Sequence, residues 1–291
     1  MCRGKCGRCN CPRLMTCQTD AGLSLNMNLT NMRCLSCGCG IGFHAVLHES
    51  SAPQPKARLR ILALHGRGDN SNVMRAQVAE LKRRLSVAGC ECEWHFMDGT
   101  EETDAPADSL RKELGQGLPF KVWFKQECSD HSQRPYIEKL SDPSVVFSYD
   151  KDDVRSAVQK LEDYINAGEP FDVVLGFSQG CAMISLLSGF LRSTCKKDET
   201  PLPWKLTVLF NGTKVRDQHY QDLLDRPFAQ PAVLVFGRTD PFFEYTRDAL
   251  PKMYENPVIL EHEEGHKFPT APPLADAIYD AVVDNIQLHC T

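Results

Sequence analysis

The stretch that decides the fold is Gly176-Phe177-Ser178-Gln179-Gly180, a G-x-S-x-G motif. It follows an apolar run, Phe171-Asp172-Val173-Val174-Leu175, that predicts a buried strand. Residues 181–187 behind it are apolar apart from one serine and predict the first turns of a buried helix. A strand, a glycine-flanked serine and a helix in this order are the context of a nucleophile elbow, the turn that lifts a serine hydroxyl above a sheet. The pattern predicts that Ser178 is a nucleophile; a plain surface turn is the alternative.

An acid and then a histidine should follow the serine in chain order if the elbow belongs to an α/β hydrolase. Asp240 comes just after the apolar run at residues 232–236, at the strand end where α/β folds place their sites. A turn aspartate before proline is the alternative for this residue. His266 lies between the short strand predicted at residues 257–261 and the last predicted helix. It is the candidate general base, and His262, which continues that strand, is the rival.

A glycine-rich turn supplies the second part of the predicted site. The strand Leu59-Arg60-Ile61-Leu62-Ala63-Leu64 runs into His65-Gly66-Arg67-Gly68-Asp69-Asn70. Such a turn can aim a backbone N–H at a carbonyl oxygen, and we expect the N–H groups of Arg67 and Gln179 to form an oxyanion hole. A phosphate-binding loop is the alternative, but the spacing is not G-x-G-x-x-G and no Lys-Ser/Thr follows. We expect His65 to be structural.

The predicted chemistry follows from what these side chains can do. A serine hydroxyl is a weak nucleophile and needs a base within hydrogen-bond reach, which His266 would supply. Asp240 would fix the imidazole tautomer and stabilise the imidazolium. This is acyl transfer to water, the reaction of an esterase or thioesterase, and it needs neither a metal nor an organic cofactor.

Further motifs accompany the elbow: Leu64-His65-Gly66, Asp104-Ala105-Pro106, Trp123, Gly237 with Asp240, and Gly265 with His266 and Pro269. With them the chain resembles, over about residues 58–287, the serine hydrolase family abbreviated FSH. That family includes an ovarian-cancer-associated esterase and fungal polyketide-releasing thioesterases. The resemblance implies a compact α/β-hydrolase fold with Ser178, Asp240 and His266 as its triad. Residues 67–70 are instead similar to the carboxylesterase and acyl-protein thioesterase branch of the same fold.

Composition sets broader bounds. The chain has 291 residues, 42% of them hydrophobic and 24% charged, which suits one large globular domain or a domain with a tail. Its net charge of −5 gives no support for a nucleic-acid partner. No apolar run approaches the ~18 residues of a membrane span, so we expect no stable membrane insertion and a cytoplasmic location.

Periodicity predicts alternating strands and helices. An apolar helical stripe runs from Met74 to Ala88 and ends at Gly89, and a second runs from Val154 to Ile165. Strands separated by helices predict a mainly parallel sheet covered by helices on both faces.

The pattern breaks at residues 99–150, which are mixed and punctuated by proline. Their position before the helix that leads to the elbow suits a lid-like substrate insert. We expect Trp123 and Phe124 to line an acyl pocket; the alternative is that the aromatic residues only pin the insert to the core.

Residues 1–57 hold eight of the 14 cysteines and predict an extension and linker, disordered or targeting, ahead of a hydrolase domain at 58–291. Cys6/Cys9 and Cys34/Cys37 have zinc-like C-x₂-C spacing, but the 24 residues between the pairs exceed the ~15–20 of zinc ribbons. The excess of arginine and lysine in this extension makes organelle targeting the alternative to the cytoplasm.

Three functions remain open on sequence grounds. The leading one is a serine hydrolase that cleaves carboxylic esters of small to medium apolar acyl groups. The second is a thioesterase for acyl-carrier, coenzyme A or protein thioesters, since one triad serves both. The third is a catalytically silent binding protein with a metal-binding N-terminal module. For the first two, the expected partner is a small-molecule ester or thioester.

Overall fold

The computed structural model describes residues 58–104, 109–194 and 201–291, together with the backbone of Gly4–Cys6 and His44–Val46. The chain divides into two compact units, Met1–Lys56 and Ala57–Thr291. In the first unit, Gly4–Cys6 (β1) pairs antiparallel with His44–Val46 (β2). The rest of the cysteine-rich extension, including the predicted thiolate pairs, lies outside the described residues, as do two residues of the Asp-Ala-Pro motif.

The second unit alternates strands and helices. Its strands are β3 (Leu59–Leu64), β4 (Cys92–Met97), β5 (Glu101–Glu102), β6 (Lys121–Val122), β7 (Gln126–Cys128), β8 (Phe147–Tyr149), β9 (Val173–Phe177), β10 (Leu206–Phe210), β11 (Ala232–Gly237) and β12 (Val258–His262). Its α-helices are α1 (Ser71–Gln77), α2 (Ala79–Val87), α3 (Ser109–Leu114), α4 (Tyr136–Ser141), α5 (Lys151–Asn166), α6 (Gln179–Thr194), α7 (Phe243–Ala249) and α8 (Leu274–Cys290). No helix in the described part of the chain has the length and hydropathy needed to span a bilayer.

Six strands form the central sheet in the order β12-β11-β10-β9-β3-β4, and every neighbouring pair is parallel. From β3 the chain moves to β4 at one edge and then crosses to β9 on the other side of β3. The direction of travel therefore switches between β3 and β9. In open parallel sheets, ligands bind outside the carboxyl ends of the strands at such a point. Ser178 follows β9 and His65 follows β3, so both lie there.

Side chains from alternate positions of each strand enter two separate cores. In β3, Ile61 and Ala63 face one core, and Leu62 and Leu64 face the other. The first core is closed by α1, α2 and α8, and the second by α5, α6 and part of the insert. Because both faces are covered, every residue of the inner strands β9, β10 and β11 is buried, and these strands are almost entirely apolar. The predicted parallel sheet with helices on both faces is confirmed.

The first apolar stripe differs from the expected single helix. It forms two helices, α1 and α2, which meet at Val78, where the backbone has φ −87° and ψ 7°. The Val78 N–H still donates to the Met74 carbonyl (3.1 Å), and the Lys82 N–H donates to the Val78 carbonyl (2.9 Å). The stripe faces the core on both sides of the junction, because periodicity reports which side is buried and not whether each residue keeps helical angles.

Residues 99–150 form an irregular insert with two small antiparallel pairs, β5 with β6 and β7 with β8. The insert is bonded to the loop after β3. The Gly68 N–H donates to the Lys121 carbonyl (2.9 Å), and the Lys121 N–H donates to the Asp69 carbonyl (2.8 Å). One end of the insert is therefore fixed beside the switch point of the sheet.

Candidate active site

Ser178 lies on a strained turn between β9 and α6. Its φ of 53° is in the left-handed region that non-glycine residues rarely adopt. Its N–H donates to the Phe210 carbonyl at the end of β10 (3.2 Å), so the neighbouring strand holds the turn. Gly180 permits close packing, because a Cβ there would lie 2.4 Å from the Leu64 carbonyl oxygen. This backbone places the half-buried Ser178 hydroxyl at the carboxyl edge of the sheet.

His266 and Asp240 lie beside Ser178. The Ser178 Oγ is 2.8 Å from His266 Nε2, and His266 Nδ1 is 2.7 Å from Asp240 Oδ2. Since a carboxylate only accepts hydrogen bonds, Nδ1 carries the ring proton and Nε2 accepts from the Ser178 hydroxyl. The structure thus brings the three predicted residues into one hydrogen-bonded chain, although Ser178 and His266 are 88 residues apart in sequence.

The acid and the imidazole are both held in place. Asp240 is buried, and its Oδ1 accepts from the Phe242 N–H (2.8 Å). The Phe242 ring meets the His266 ring edge-on with centroids 5.0 Å apart, and the Phe177 ring lies 5.1 Å from it on a tilt. Rotation of the imidazole would have to displace these rings, so its two nitrogens stay directed at Asp240 and Ser178.

Asn211 joins the two segments that carry Asp240 and His266. It follows β10, is buried and has φ 46°. Its Nδ2 donates to the carbonyls of Gly265 and Lys267 (3.0 Å each), and its Oδ1 accepts from the Gly237 N–H (3.1 Å). A single amide therefore sets the distance between the end of β11 and the loop on either side of His266. Sequence reasoning missed this residue, and its position directly after an apolar strand is the signal that could have identified it.

Glu264 holds the other side of the same loop. Its Oε1 accepts from the N–H groups of Thr270 (2.5 Å) and Ala271 (2.9 Å), and its Oε2 accepts from the Thr270 hydroxyl (2.6 Å). Burial would raise the pKa of this carboxyl, but the Lys267 ammonium and these hydrogen bonds outweigh burial and lower the pKa to about 2. Glu264 is therefore ionised at neutral pH and keeps its loop contacts.

The loop after β3 approaches Ser178 closely. A Cβ at Gly66 would lie 3.2 Å from the Ser178 Cβ. Arg67 follows in that loop and borders the same cavity as Ser178 and Gln179. Gln179 is the first residue of α6, so its N–H has no acceptor within the helix. Both predicted oxyanion donors thus belong to segments that border Ser178.

The Gln179 side chain and Trp123 bind the insert beneath this loop. Gln179 Oε1 accepts from the Trp123 N–H (3.0 Å), and Gln179 Nε2 donates to the Phe124 carbonyl (2.9 Å). Trp123 is fully buried, and its indole N–H donates to the His65 carbonyl (2.9 Å). Trp123 therefore pins the insert, whereas Phe124 lines the cavity beside Ser178. The two predicted substrate-binding residues face different surroundings.

His65 is uncharged and has a structural role. It is fully buried, and its Nε2 accepts from the Gly99 N–H (2.9 Å), so Nδ1 carries the proton and donates to the Gly66 carbonyl (2.7 Å). Burial lowers the pKa of His65 to about 4. The ring therefore ties the glycine loop to the start of the insert and stays uncharged at neutral pH.

His262 is buried at the end of β12, where its Nδ1 accepts from the Glu264 N–H (3.3 Å) and burial lowers its pKa. It supports the loop, and His266 occupies the position beside Ser178. Within the described ranges, no group of three or more His, Cys, Asp and Glu side chains is arranged to hold a metal ion.

A small cavity of about 50 Å³ opens beside Ser178. Its walls combine rings, small side chains and cations from the insert, from the glycine loop, from α6 and from the segments after β10 and β11. The lining residues besides Ser178 and Gln179 are Arg67, Phe124, Gln126, Phe147, Tyr149, Ala182, Thr213, Lys214, Arg216, Phe242 and Tyr245.

A much larger groove of about 1080 Å³ lies on the His266 side. It runs between α1 and α2, α3, and the loop that carries His266. Its apolar lining includes Val73, Ala76, Leu110, Leu114, Phe268 and Tyr279. Ser178 borders the small cavity and His266 borders the groove, so the two residues stand between them.

Most of the cavity lining was not singled out from the sequence. Lys214 and Arg216 come from a loop without a recognisable motif, and Ala182 reads only as core of α6. Phe147 and Tyr149 alternate on β8, a period-two signal that could have marked one face of the insert as apolar. These residues meet around one cavity only because segments far apart in the chain pack against one another.

A parallel sheet with helices on both faces and a serine turn at its switch point place the chain in the α/β-hydrolase class. The comparison with known families agrees with this assignment from the fold. Residues 55–278 match the family model described as "Serine hydrolase (FSH1)", and the chain belongs to this family, which confirms the resemblance seen in the sequence. The protein is therefore a serine hydrolase.

Similar proteins carry related names. Esterase FPY3 of Fusarium mangiferae is 24% identical over 226 residues, which cover 74% of this chain and 90% of that protein. Esterase OVCA2 of Homo sapiens is 25% identical over 227 residues, 75% of this chain and 93% of that protein. The crystal structure of esterase PE8 covers 80% of this chain with a TM-score of 0.51 and 16% identity, a likeness of fold alone.

Proposed function

We propose that this chain hydrolyses carboxylic esters through an acyl-Ser178 intermediate, with His266 as general base and Asp240 as its orienting acid. The observation that carries the proposal is the hydrogen-bonded chain from Ser178 Oγ through His266 to Asp240, with 2.8 Å and 2.7 Å between heavy atoms. The catalytic unit is residues 58–291, and the insert at 99–150 supplies part of the substrate site. The esterase names of the similar proteins favour an ester as the substrate.

In the first step, Ser178 Oγ attacks the ester carbonyl carbon while His266 Nε2 takes the hydroxyl proton. The carbonyl oxygen becomes an oxyanion, and the N–H groups of Arg67 and Gln179 stabilise it. Removal of one such donor in other serine hydrolases costs about 10²–10³ in turnover, so these two amides carry a large share of the rate.

Collapse of the tetrahedral intermediate breaks the ester C–O bond. The His266 imidazolium, stabilised by Asp240, returns its proton to the departing alkoxide, and an alcohol leaves. A water molecule then attacks acyl-Ser178 by the same route and releases the carboxylic acid. The leaving oxygen must come within hydrogen-bond reach of His266 Nε2, so the alcohol departs on the side of the groove.

The acyl group lies on the opposite side, in the cavity beside Ser178. Rings at Phe124, Phe242 and Tyr149 give its apolar part a surface to bury, and a cavity of about 50 Å³ excludes long chains. Small to medium acyl groups with an apolar segment next to the carbonyl therefore fit best.

The test is labelling by a fluorophosphonate probe together with hydrolysis of 4-nitrophenyl acetate and butyrate. Replacing Ser178 by alanine removes the attacking oxygen, and we expect loss of labelling and a fall in kcat of about 10⁴-fold or more. Matched thioesters in the same assay decide whether the enzyme prefers an oxygen or a sulfur leaving atom.

The matched control is Ser185→Ala. Ser185 is buried on the same helix, and its hydroxyl donates to the Cys181 carbonyl (3.0 Å), so it has no path to substrate. This variant should label and turn over like the wild type. A folded wild-type protein that neither labels nor hydrolyses any of these substrates would refute the proposal.

A further inference from the structure

The cavity beside Ser178 has an unusual balance of charge. Three cationic side chains, Arg67, Lys214 and Arg216, line it. Among the described residues that line it, none is an aspartate or a glutamate. An enzyme for purely apolar acyl groups has no use for cations in the acyl cavity, because partly buried charge carries a desolvation cost.

The groove on the His266 side has a lining of mixed charge, which includes Glu80 and Asp276 as well as basic residues. There Arg83 pairs with Glu80 (2.7 Å), Arg111 with Asp69 (3.6 Å) and Lys267 with Glu264 (2.5 Å). The cations of the groove are thus matched by carboxylates of the protein itself. The cationic lining is a local property of the small cavity. It does not reflect a general excess of positive charge, since the whole chain has a net charge of −5.

Of the three cationic residues that line the cavity, Lys214 gives the strongest reason to expect an anionic ligand. It is half-buried at the cavity wall, two residues before Arg216. In the part of the chain that the structure describes, no carboxylate lies within ion-pair distance of its ammonium group. Its charge is therefore available to a ligand.

Arg216 and Tyr149 form a second, ordered part of the wall. The guanidinium of Arg216 donates to the carbonyls of Asp142 (2.6 Å) and Val145, and it lies over the Phe147 ring, 4.5 Å from the centroid. These contacts fix its position at the cavity wall. The Arg216 backbone N–H donates to the Tyr149 hydroxyl oxygen (2.9 Å).

The Tyr149 hydroxyl is thus an acceptor for the protein, and its own proton can still be donated. Burial raises the pKa of Tyr149, so the hydroxyl stays protonated. The Tyr149 phenol and the basic side chains of Lys214 and Arg216 thus surround one small cavity with hydrogen-bond donors that suit an anion. Charge-assisted hydrogen bonds to a carboxylate are the strongest that such groups make.

We propose that the acyl group of the substrate ends in a carboxylate, so that the substrates are half-esters of short dicarboxylic acids. The methylene segment lies against the rings of Phe124 and Phe242, and the terminal carboxylate meets Lys214, with Arg216 and the Tyr149 hydroxyl beside it. The inference rests on the proposed ester hydrolysis and names its substrate class. One water is consumed for each half-ester, and the products are the dicarboxylic acid and the alcohol.

The experiment compares two esters of equal size. One is the mono-4-nitrophenyl ester of glutaric acid, and the other is its neutral isostere, 4-nitrophenyl 4-carbamoylbutanoate. The Ser178→Ala protein serves as the blank for spontaneous hydrolysis. We expect the wild type to have a kcat/KM at least about tenfold higher for the half-ester, and this ratio should fall as salt screens the charge.

Lys214→Met should reduce the ratio between the two esters to about one. The control is Lys252→Met, an exposed lysine on the 3₁₀ turn Pro251–Met253 that does not line the cavity, and it should keep the wild-type ratio. A thermal unfolding curve for each variant verifies folding. Free glutarate should also protect Ser178 of the wild type from the fluorophosphonate probe better than its neutral diamide does, a measurement that needs no variant.

Two results overturn the inference in distinguishable ways. Turnover of both esters by the wild type without preference, or a ratio that Lys214→Met leaves unchanged, removes the carboxylate assignment and leaves the proposed hydrolase standing. A wild type without turnover or labelling removes both proposals together.

Discussion

The two sides of the Ser178–His266 pair differ in size and in charge. The cavity that Ser178 borders measures about 50 Å³, while the groove that His266 borders measures about 1080 Å³. Rings and cations line the first, and the second is an open apolar surface whose cations pair with acids. On the proposed reaction, which places the acyl group in the cavity and the alcohol in the groove, we expect strict selection of the acyl group and loose selection of the alcohol.

This asymmetry follows from how each side is built. The cavity is enclosed by segments that are bonded to one another, such as the insert to Gln179 and Arg216 to Tyr149. The groove is covered on one side by α3, a six-residue helix with no buried residue. A pocket with bonded walls selects by shape, whereas an open surface offers contact area without a strict limit of length.

The first of three predictions about the two sides, and the one with the largest expected effect, concerns a residue that should affect both sides equally. Asn211→Ala removes the amide that spaces the end of β11 from the His266 loop. A displacement of about 1 Å costs roughly 10²-fold in rate, so we expect kcat to fall by about that factor for every ester tested, with a smaller change in KM. Steady-state kinetics on esters that vary in either half measure this.

The control for this variant is Asn285→Ala. Asn285 donates from its side chain to the Ala281 carbonyl on α8 and touches neither segment. It should leave kcat unchanged. A fall in kcat for Asn211→Ala that depends on the acyl group would show that Asn211 shapes the cavity and not the spacing of His266 from Asp240.

The second prediction concerns a substitution that reduces the volume of the cavity and leaves the groove unchanged. Ala182→Leu adds three carbons where α6 borders a space of about 50 Å³. Each methylene that a pocket accepts or refuses is worth about 10–200-fold in discrimination, so kcat/KM for butyrate should fall about tenfold or more relative to acetate. The acetate ester is the internal control. An equal loss on both esters would mean that Ala182 does not limit acyl length.

The smallest effect is expected on the open side. Leu114→Asp places a charge on the apolar wall of the groove, where Leu114 is 40% exposed. KM for esters of long alcohols should rise several-fold, since each buried methylene contributes about 0.8 kcal/mol, and methyl esters should respond less. Leu288→Asp, at an exposed position near the end of α8, is the control. If KM for esters of long alcohols stays at the wild-type value in Leu114→Asp, the groove does not bind the leaving group.

Much of the fold can be read from local pattern. The run from β9 through Ser178 into α6 is contiguous, and glycine, serine and apolar periodicity describe its backbone directly. Asp240 and His266 are found by chain order and by their positions after strands. The stripe over residues 74–88 identifies the buried side of α1 and α2 but not their junction at Val78, because packing and not periodicity sets individual backbone angles.

The different positions of Trp123 and Phe124 show the limit of this approach. They are adjacent aromatic residues of one apolar patch, and sequence treats them alike. In the structure the Trp123 indole binds the His65 carbonyl in the core, while Phe124 faces the cavity. Both residues lie in the bend after β6, and only the docked position of the insert determines which of the two rings borders the cavity.

The sequence by itself determined the class of fold, the family, and the candidates Ser178, Asp240 and His266, because these depend on short-range patterns and on the order of elements. Only the tertiary structure decided that Lys214, Arg216 and Tyr149 meet beside Ser178, and that Asn211 braces the loop of His266. Arg216 and Tyr149 are 67 residues apart, and Asn211 and Lys267 are 56 apart. Such contacts arise from the packing of whole elements, so no local stretch of sequence records them.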